Sequence, residues 1–261
     1  MRRDPPVPRA LPSTPREDKV AGTAMSQRWI VTGGSRGVGL AVARLALAQG
    51  DRVAVVARNG DSDALQTELG AGALAFRGDV TNPGEMARIA KSVAQAWGGI
   101  DVLVNNAGLH RGGKIERLDL ADWDAVIATN LSGPLHCVRA CLPHMGNGGS
   151  IVNIGAVVGF RGFPGDSPYG ASKAGLAGLT QVLAVELAKR QIRVNLVIPG
   201  LVVTEMTSGL SERAMQALIS KIPLHRVGTD VEVAEVICWV ARSTYMTGAV
   251  VPTDGGLMCA F

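Results

Sequence analysis

The chain has 261 residues, of which 47% are hydrophobic and 18% charged, and a formal net charge of +4. That composition supports a large buried core, yet no apolar run reaches the ~20 residues that span a bilayer, so a cytoplasmic protein without a membrane partner is expected. Much of the positive excess sits in the first 19 residues, and aromatics make up only 4%. A basic nucleic-acid face and a base-stacking surface are both disfavoured.

Residues 1–25 read as a disordered arm. The segment "MRRDPPVPRALPSTPRED" carries five of the thirteen prolines and no periodic apolar pattern. It lacks the apolar stretch of a secretory signal, and Met25, just before the ordered pattern, reads as an alternative start. Residues 26–261 then form the folded domain. Strands are predicted at "RWIVTG", "RVAVVA", "ALAFRG", "IDVLVNN", "SIVNIG", "IRVNLVIPG" and "AVVPTDGG". Helical spacing runs through "GVGLAVARLALAQG", "PGEMARIAKSVAQAWG", "DWDAVIATNLSGPLHCVRACLPHM", "PYGASKAGLAGLTQVLAVELAKR" and "DVEVAEVICWVAR". Strands this uniformly apolar are buried on both faces. Their alternation with helices predicts an α/β fold: one doubly wound, Rossmann-type domain with a seven-stranded parallel sheet and helices on both faces.

Cys137 and Cys141 share one helical face, and Cys238 and Cys259 stand alone. No CxxC pair or ligand-rich cluster accompanies them, so buried free thiols in a reducing compartment are expected, with no metal.

The first strand runs into "VTGGSRGVG", with Gly33, Gly37 and Gly39 at the mouth of a helix. Glycines let backbone approach a phosphate closely, and the helix start presents free N–H groups to it. A tight strand–helix turn needs glycine in any case. Its place after the first strand of a doubly wound pattern is what points to a dinucleotide. The second strand ends in "VAVVARN", with Arg58 where an acid would hold the ribose hydroxyls of NAD. Arg36 lies inside the glycine loop. Two guanidinium groups there suit the 2′-phosphate of NADP(H), although either could be an ordinary surface arginine.

Tyr169 and Lys173 sit four apart on one helical face. A nearby ammonium stabilises phenolate and would lower the phenol pKa from about 10, making it a usable proton donor. Alone, the pair is a common surface pattern.

The glycine loop, "NNAG" at 105–108, "YGASK" at 169–173 and "PGLVVT" at 199–204 occur in this order. Together they resemble the short-chain dehydrogenase/reductase family, above all its 3-oxoacyl-carrier-protein reductases and polyketide ketoreductases, from Trp29 to about Gly256. The resemblance implies an NADP-dependent oxidoreductase, with Tyr169, Lys173 and Asn130 as the catalytic set. Asn130 would carry a proton-relay water, unless it is an ordinary helix-bend residue. The implied cofactor contacts are Gly33, Ser35, Arg36, Gly37, Val38, Gly39 and Arg58, then Asp79 and Val80 at the adenine. Asn106, Ala107 and Gly108 follow at the adenosine ribose, Tyr169 and Lys173 at the nicotinamide ribose, then Pro199, Gly200 and Thr204, the last at the carboxamide. The family also implies a homotetramer or homodimer built on the two long central helices. The apolar end "GGLMCAF" suggests a subunit contact.

One position departs from the pattern. The family's Ser, 13 residues before the Tyr, is Ala156 here. Losing such a hydroxyl donor commonly costs ~10²–10³ in rate. Three explanations stand open: another group such as His110 or Ser167 (or a substrate hydroxyl) substitutes; the Ala is an engineered exchange; or the chain is an NADP(H)-binding scaffold. Retention of Tyr169, Lys173 and Asn130 favours an enzyme, reducing a ketone of a small-molecule or acyl-carrier-bound substrate of acyl, polyketide-like or aromatic type. The segment 204–228, with Met206, Gly209, Met215, Leu218 and Ile222, reads as a helical lid over an apolar substrate. Arg139 and Arg161 read either as contacts for a carrier protein or as parts of a solvated face.

Overall fold

The computed structural model describes residues 26–59, 62–202 and 212–259. Its elements in chain order are β1 (Arg28–Thr32), α1 (Gly37–Ala48), β2 (Arg52–Ala57), α2 (Ser62–Leu69), β3 (Ala73–Arg77), α3 (Pro83–Trp97), β4 (Ile100–Asn105) and α4 (Leu120–Ile127). There follow α5 (Gly133–Cys141), β5 (Met145–Ile154), α6 (Ser167–Glu186), β6 (Arg193–Pro199), α7 (Glu212–Ile219), α8 (Asp230–Arg242) and β7 (Val250–Thr253). The seven strands form one sheet in the order β3-β2-β1-β4-β5-β6-β7, and every neighbouring pair is parallel. All seven overlap the apolar runs that predict them, with β5 starting five residues earlier.

Period-two alternation along fully apolar strands makes two cores from one sheet. On one face Ile30, Ala54, Leu103 and Ile151 pack with Met86, Ile89 and Val93 of α3 and with Cys137 and Cys141 of α5. On the other, Trp29, Val31, Val55 and Val104 pack with Val42 and Ala46 of α1 and with Ile237 and Val240 of α8. Cys137, Cys141 and Cys238 are buried free thiols as expected, whereas Cys259 is exposed.

Polar groups fix the strand starts. Asp51, 7% exposed, accepts hydrogen bonds from Trp29 Nε1 at 2.8 Å, the Gln27 amide at 2.9 Å and Arg242 Nη2 at 2.5 Å. The Arg242 guanidinium also lies 4.9 Å from the Trp29 ring centre. Arg28 clamps Asp101 of β4 with two bonds, Nε at 2.7 Å and Nη2 at 2.6 Å.

Three features depart from the expected elements. Helix α2 has no buried residue, so it leaves no apolar stripe to read. The predicted long helix through residues 122–145 is divided: a π turn at Ala128–Ser132 separates α4 from α5, and a strand already begins at Met145. The early part of β5 passes through Gly146, Gly148 and Gly149, which carry no apolar signal, and its register against β4 shifts between Ile100 and Val102.

Candidate active site

The strand order reverses at β1, which pairs with β2 on one side and β4 on the other. Successive crossovers leave toward opposite edges there, which opens a crevice at the strands' C-terminal ends. The residues on its two lips are those of the glycine loop and of "NNAG".

Gly33 has φ +65° and Gly37 φ +51°, backbone that L side chains avoid. At Gly39 a Cβ would stand 2.4 Å from the Gly33 carbonyl oxygen and 2.5 Å from Asn106 Nδ2. The loop therefore folds back over the first turn of α1, which carries no acidic residue. Asn106 ties the two lips together. Its Nδ2 donates to the carbonyls of Thr32 at 3.1 Å and Gly33 at 3.0 Å. The Thr32 hydroxyl oxygen accepts from the amides of Asn106 and Ala107, each at 3.1 Å. Thr32 carries no motif signature, and the sequence reading missed it.

Ser35, Ala57, Asn59, Ser62, Leu65 and Arg77 line a pocket of about 240 Å³. It brings the glycine loop to the end of β2, beside the exposed Arg36 and Arg58. Arg77, exposed at the end of β3, adds a third cation that the sequence reading did not single out. Asp79 accepts from the Thr81 amide and hydroxyl at 2.9 and 2.8 Å. Val80 is 6% exposed, and its carbonyl meets His136 Nδ1 at 3.0 Å. Pro199 ends β6. Gly200 follows against β7, where a Cβ would sit 2.6 Å from Asp254 Cα. Thr204, Met206 and Gly209 lie outside the described residues.

This crevice fits a dinucleotide. It has a cradle that any Cβ at Gly39 would fill, an acid-free helix start for the phosphates, and guanidinium groups where a 2′-phosphate would lie.

Across from it, the N-terminal part of α6 holds Tyr169 and Lys173. Lys173 is 4% exposed and donates from Nζ to the Ile154 carbonyl at 2.8 Å. Its Nζ lies 5.6 Å from the centre of the Tyr169 ring. Ser172 Oγ donates to the Tyr169 carbonyl at 2.7 Å and accepts from Asn130 Nδ2 at 3.2 Å. Asn130 Nδ2 also donates to the Leu109 carbonyl at 2.9 Å, and its Oδ1 accepts from the Leu109 amide at 2.7 Å. The structure thus brings Tyr169, Lys173 and Asn130 together. Asn130 sits at the centre of the π turn, where it clamps the loop after β4, a role that helical spacing does not announce.

Burial governs the titrations. Desolvation lowers the Lys173 pKa from 10.5 to about 8. It also pushes the Tyr169 phenol up from 10.0 to about 12, with Asp166 adding to the rise. The expectation that Lys173 depresses this phenol is not met in the chain itself, because burial penalises the phenolate and the Asp166 carboxylate adds to that penalty. At neutral pH the phenol is protonated.

Ala156 follows the end of β5 in extended backbone, φ −162° and ψ 154°, just before a 3-10 turn at Val157–Gly159. His110, in the loop after β4, donates through Nε2 to Asp166 Oδ1 at 2.9 Å. Its ring lies edge-on to Tyr169, centroids 4.9 Å apart. Asp166 raises the imidazole pKa from 6.5 through this hydrogen bond, against the opposing effect of burial. Neither the contact nor its partner was anticipated, since the two residues are 56 apart in sequence. A groove of about 560 Å³, lined by Ile115, Phe163, Asp166, Ser167 and Gly170 among others, borders the start of α6.

The remaining peripheral expectations divide. Arg161 is half-buried, and its Nη1 donates to the Leu257 carbonyl at 2.6 Å. Arg139 is exposed. The described part of "GGLMCAF" packs on its own chain: Leu257 and Met258 contact the cluster of Val157, Leu196 and Ile198, and Asp254 accepts from the Met258 amide at 2.6 Å. Within the expected lid, Ile222 is 2% exposed and belongs to the core. Among the described residues no helix is long and apolar enough to cross a membrane.

A seven-stranded parallel sheet, a glycine cradle at its switch point and a Tyr–Lys pair beside it define a dinucleotide-dependent oxidoreductase. Residues 33–258 match a family model described as enoyl-(acyl carrier protein) reductase, and the chain belongs to the short-chain dehydrogenase/reductase family. It is 41% identical over 237 residues to the 3-oxoacyl-[acyl-carrier-protein] reductase FabG of Thermotoga maritima, covering 88% of this chain and 96% of that protein. It is 45% identical over 237 residues to carbonyl reductase family member 4 of Xenopus laevis, covering 89% and 98%. Among solved structures, a blue fluorescent protein from a metagenomic library in complex with NADPH superposes with a TM-score of 0.84 at 33% identity, covering 88% of this chain and 97% of that one. A dehydrogenase/reductase from Sinorhizobium meliloti 1021 gives 0.85 at 34% identity, covering 90% and 96%.

Proposed function

We propose that the chain is an NADPH-dependent carbonyl reductase acting on a ketone of acyl, polyketide-like or aromatic type. The observation that carries this reading is the buried Lys173 beneath Tyr169, at the mouth of the crevice and braced through Ser172 to Asn130. When bound, the reduced nicotinamide supplies a hydride. The phosphates would rest on the glycine cradle and the start of α1. Ser35, Arg36 and Arg58 would grip the 2′-phosphate, and Asp79, Val80 and Asn106–Gly108 would flank the adenosine. Pro199 and Gly200 would border the nicotinamide, with Thr204 at its carboxamide.

Tyr169 would donate its phenol proton to the substrate oxygen. With its pKa held up to about 12 the phenol keeps that proton throughout the neutral range, so its transfer requires stabilisation of the phenolate that forms. Lys173 would hold the nicotinamide ribose and offer positive charge to the phenolate as it forms. Asn130 would keep the Leu109 loop against the substrate and carry the relay water. The groove beside α6 has the apolar lining, Ile115 and Phe163, for the rest of an acyl or ring substrate. Assembly as a homotetramer or homodimer is part of the same reading, supported by apolar side chains on the outer faces of α6 and α8, Val182, Val185 and Trp239.

Ala156 favours one rival, an NADP(H)-binding scaffold without turnover. NADPH oxidation with a β-ketoacyl thioester, a bicyclic ketone and a hydroxyquinone separates the two. Turnover that Tyr169→Phe abolishes while NADPH still binds supports the reductase. Tight NADPH binding with no turnover, even after Ala156→Ser, supports the scaffold.

A further inference from the structure

We propose that His110, anchored by Asp166, donates a hydrogen bond to the substrate carbonyl oxygen beside Tyr169, supplying the second donor that Ala156 cannot. This rests on the reductase reading. The other donors around Tyr169 have partners or another task, Lys173 keeping its two further N–H groups for the nicotinamide ribose in the reductase reading. The Ser172 hydroxyl donates to the Tyr169 carbonyl, the Asn130 amide nitrogen to Leu109 and Ser172, and Lys173 Nζ to Ile154. Ser167 is exposed on the first turn of α6, on the groove wall.

His110 differs in two ways. Its ring touches the Tyr169 ring edge-on, so it borders the space where an oxygen meeting the phenol must lie. Asp166 holds Nε2, and no hydrogen bond to a described residue engages Nδ1. A carboxylate on one imidazole nitrogen fixes the ring and favours the doubly protonated form, in which the other nitrogen is an N–H donor. The titratable and charged groups around it are few. Asp166 precedes α6, and Tyr169 and Lys173 lie on α6. The adjacent Arg111 is paired with Asp122 of α4 at 2.9 Å. Asp166 alone raises the imidazole.

His110 makes and breaks no covalent bond in this scheme. The C=O π bond is reduced by hydride from NADPH at carbon and by the Tyr169 proton at oxygen. The imidazolium steadies the charge that builds on oxygen between those events.

The test measures kcat/KM for an acetoacetyl thioester and for trans-1-decalone, with NADPH Kd by fluorescence. The proteins are the chain as it stands, His110→Ala, His110→Gln and Asp166→Asn, each also combined with Ala156→Ser. His110→Ala is expected to lower kcat/KM ~10²-fold with NADPH binding intact, and ~3-fold or less once Ala156→Ser supplies a hydroxyl. His110→Gln, whose amide still donates, keeps more activity than His110→Ala and loses the fall in rate that the parent shows as pH rises through the imidazole pKa. By NMR, that pKa lies above 6.5 in the parent and returns toward 6.5 in Asp166→Asn. Equal losses in both backgrounds, or no loss from His110→Ala, overturn the proposal. Turnover only after Ala156→Ser overturns it too while leaving the reductase reading intact. No turnover in any variant overturns that reading and this one with it.

Discussion

Replacing Lys173 by methionine isolates what a buried ammonium does to this fold. The amine titrates at about 8 in the folded chain against 10.5 ordinarily. A base whose folded pKa is depressed costs stability at low pH. That cost fades as pH rises through 8 toward 10.5, where the unfolded chain binds the extra proton. A shift of this size corresponds to about 3 kcal/mol at pH 7, falling to under about 1 kcal/mol at pH 10. Methionine is similar in volume and carries no charge, but it leaves the Ile154 carbonyl without its 2.8 Å donor, a loss of about 1–3 kcal/mol. That loss depends little on pH, so the difference between the two proteins isolates the charge. Urea unfolding of the parent and Lys173→Met, without cofactor and at matched protein concentration, should be run from pH 7 to pH 10. The parent is expected to gain about 2 kcal/mol relative to the variant across that range. A difference constant to within about 0.5 kcal/mol would refute a desolvated, depressed Lys173.

Gly39→Ala forces a methyl to within 2.4 Å of the Gly33 carbonyl oxygen; it is expected to destabilise by about 1–3 kcal/mol and to weaken NADPH binding at least tenfold, read by thermal unfolding and fluorescence titration. Arg58→Asp should shift the ratio of NADPH to NADH affinity toward NADH by ~10-fold or more, since it replaces a 2′-phosphate partner by a ribose-hydroxyl acceptor; an unchanged ratio would assign the phosphate to Arg36 and Arg77 alone. Asp51→Ala strands Trp29 Nε1 and Arg242 and is expected to cost about 2–4 kcal/mol in denaturant titration, with turnover per folded molecule unaltered.

Much of this was readable in advance because one physical signal dominates. Fully apolar strands such as "RVAVVA" admit no reading but burial on both faces, and the glycine loop admits few reasons for three glycines at one strand end. The misses occur where that signal fades. Helix α2 buries nothing. The π turn at Asn130 has the composition of a helix, although Gly133-Pro134 beside it marks the break. After Met145, β5 runs through three glycines and an asparagine that fall in the register shift between the Ile100–Met145 and Val102–Ser150 pairs. Within the site, Tyr169 and Lys173 are legible because they lie on one helix. Thr32 with Asn106 and His110 with Asp166 are contacts across 74 and 56 residues, and no local spacing records them. The phenol pKa was misjudged for a related reason: sequence locates the neighbouring ammonium but not the depth of burial that opposes it.

The knot of Thr32 and Asn106 also bears on how the chain assembles. β1, β2 and β3 are joined by short crossovers and can pair as soon as they exist. β4 must return some 70 residues after β1 to take the seat on its other side, and closing so long a loop is slow. Until it does, the glycine loop has only one wall, and Asn106 is not there to lock it. A dinucleotide can therefore gain little hold on an early intermediate. Cofactor should slow the opening of the finished protein far more than it hastens the forming one, so that NADPH acts as a bolt on a closed door and not as a template for building it.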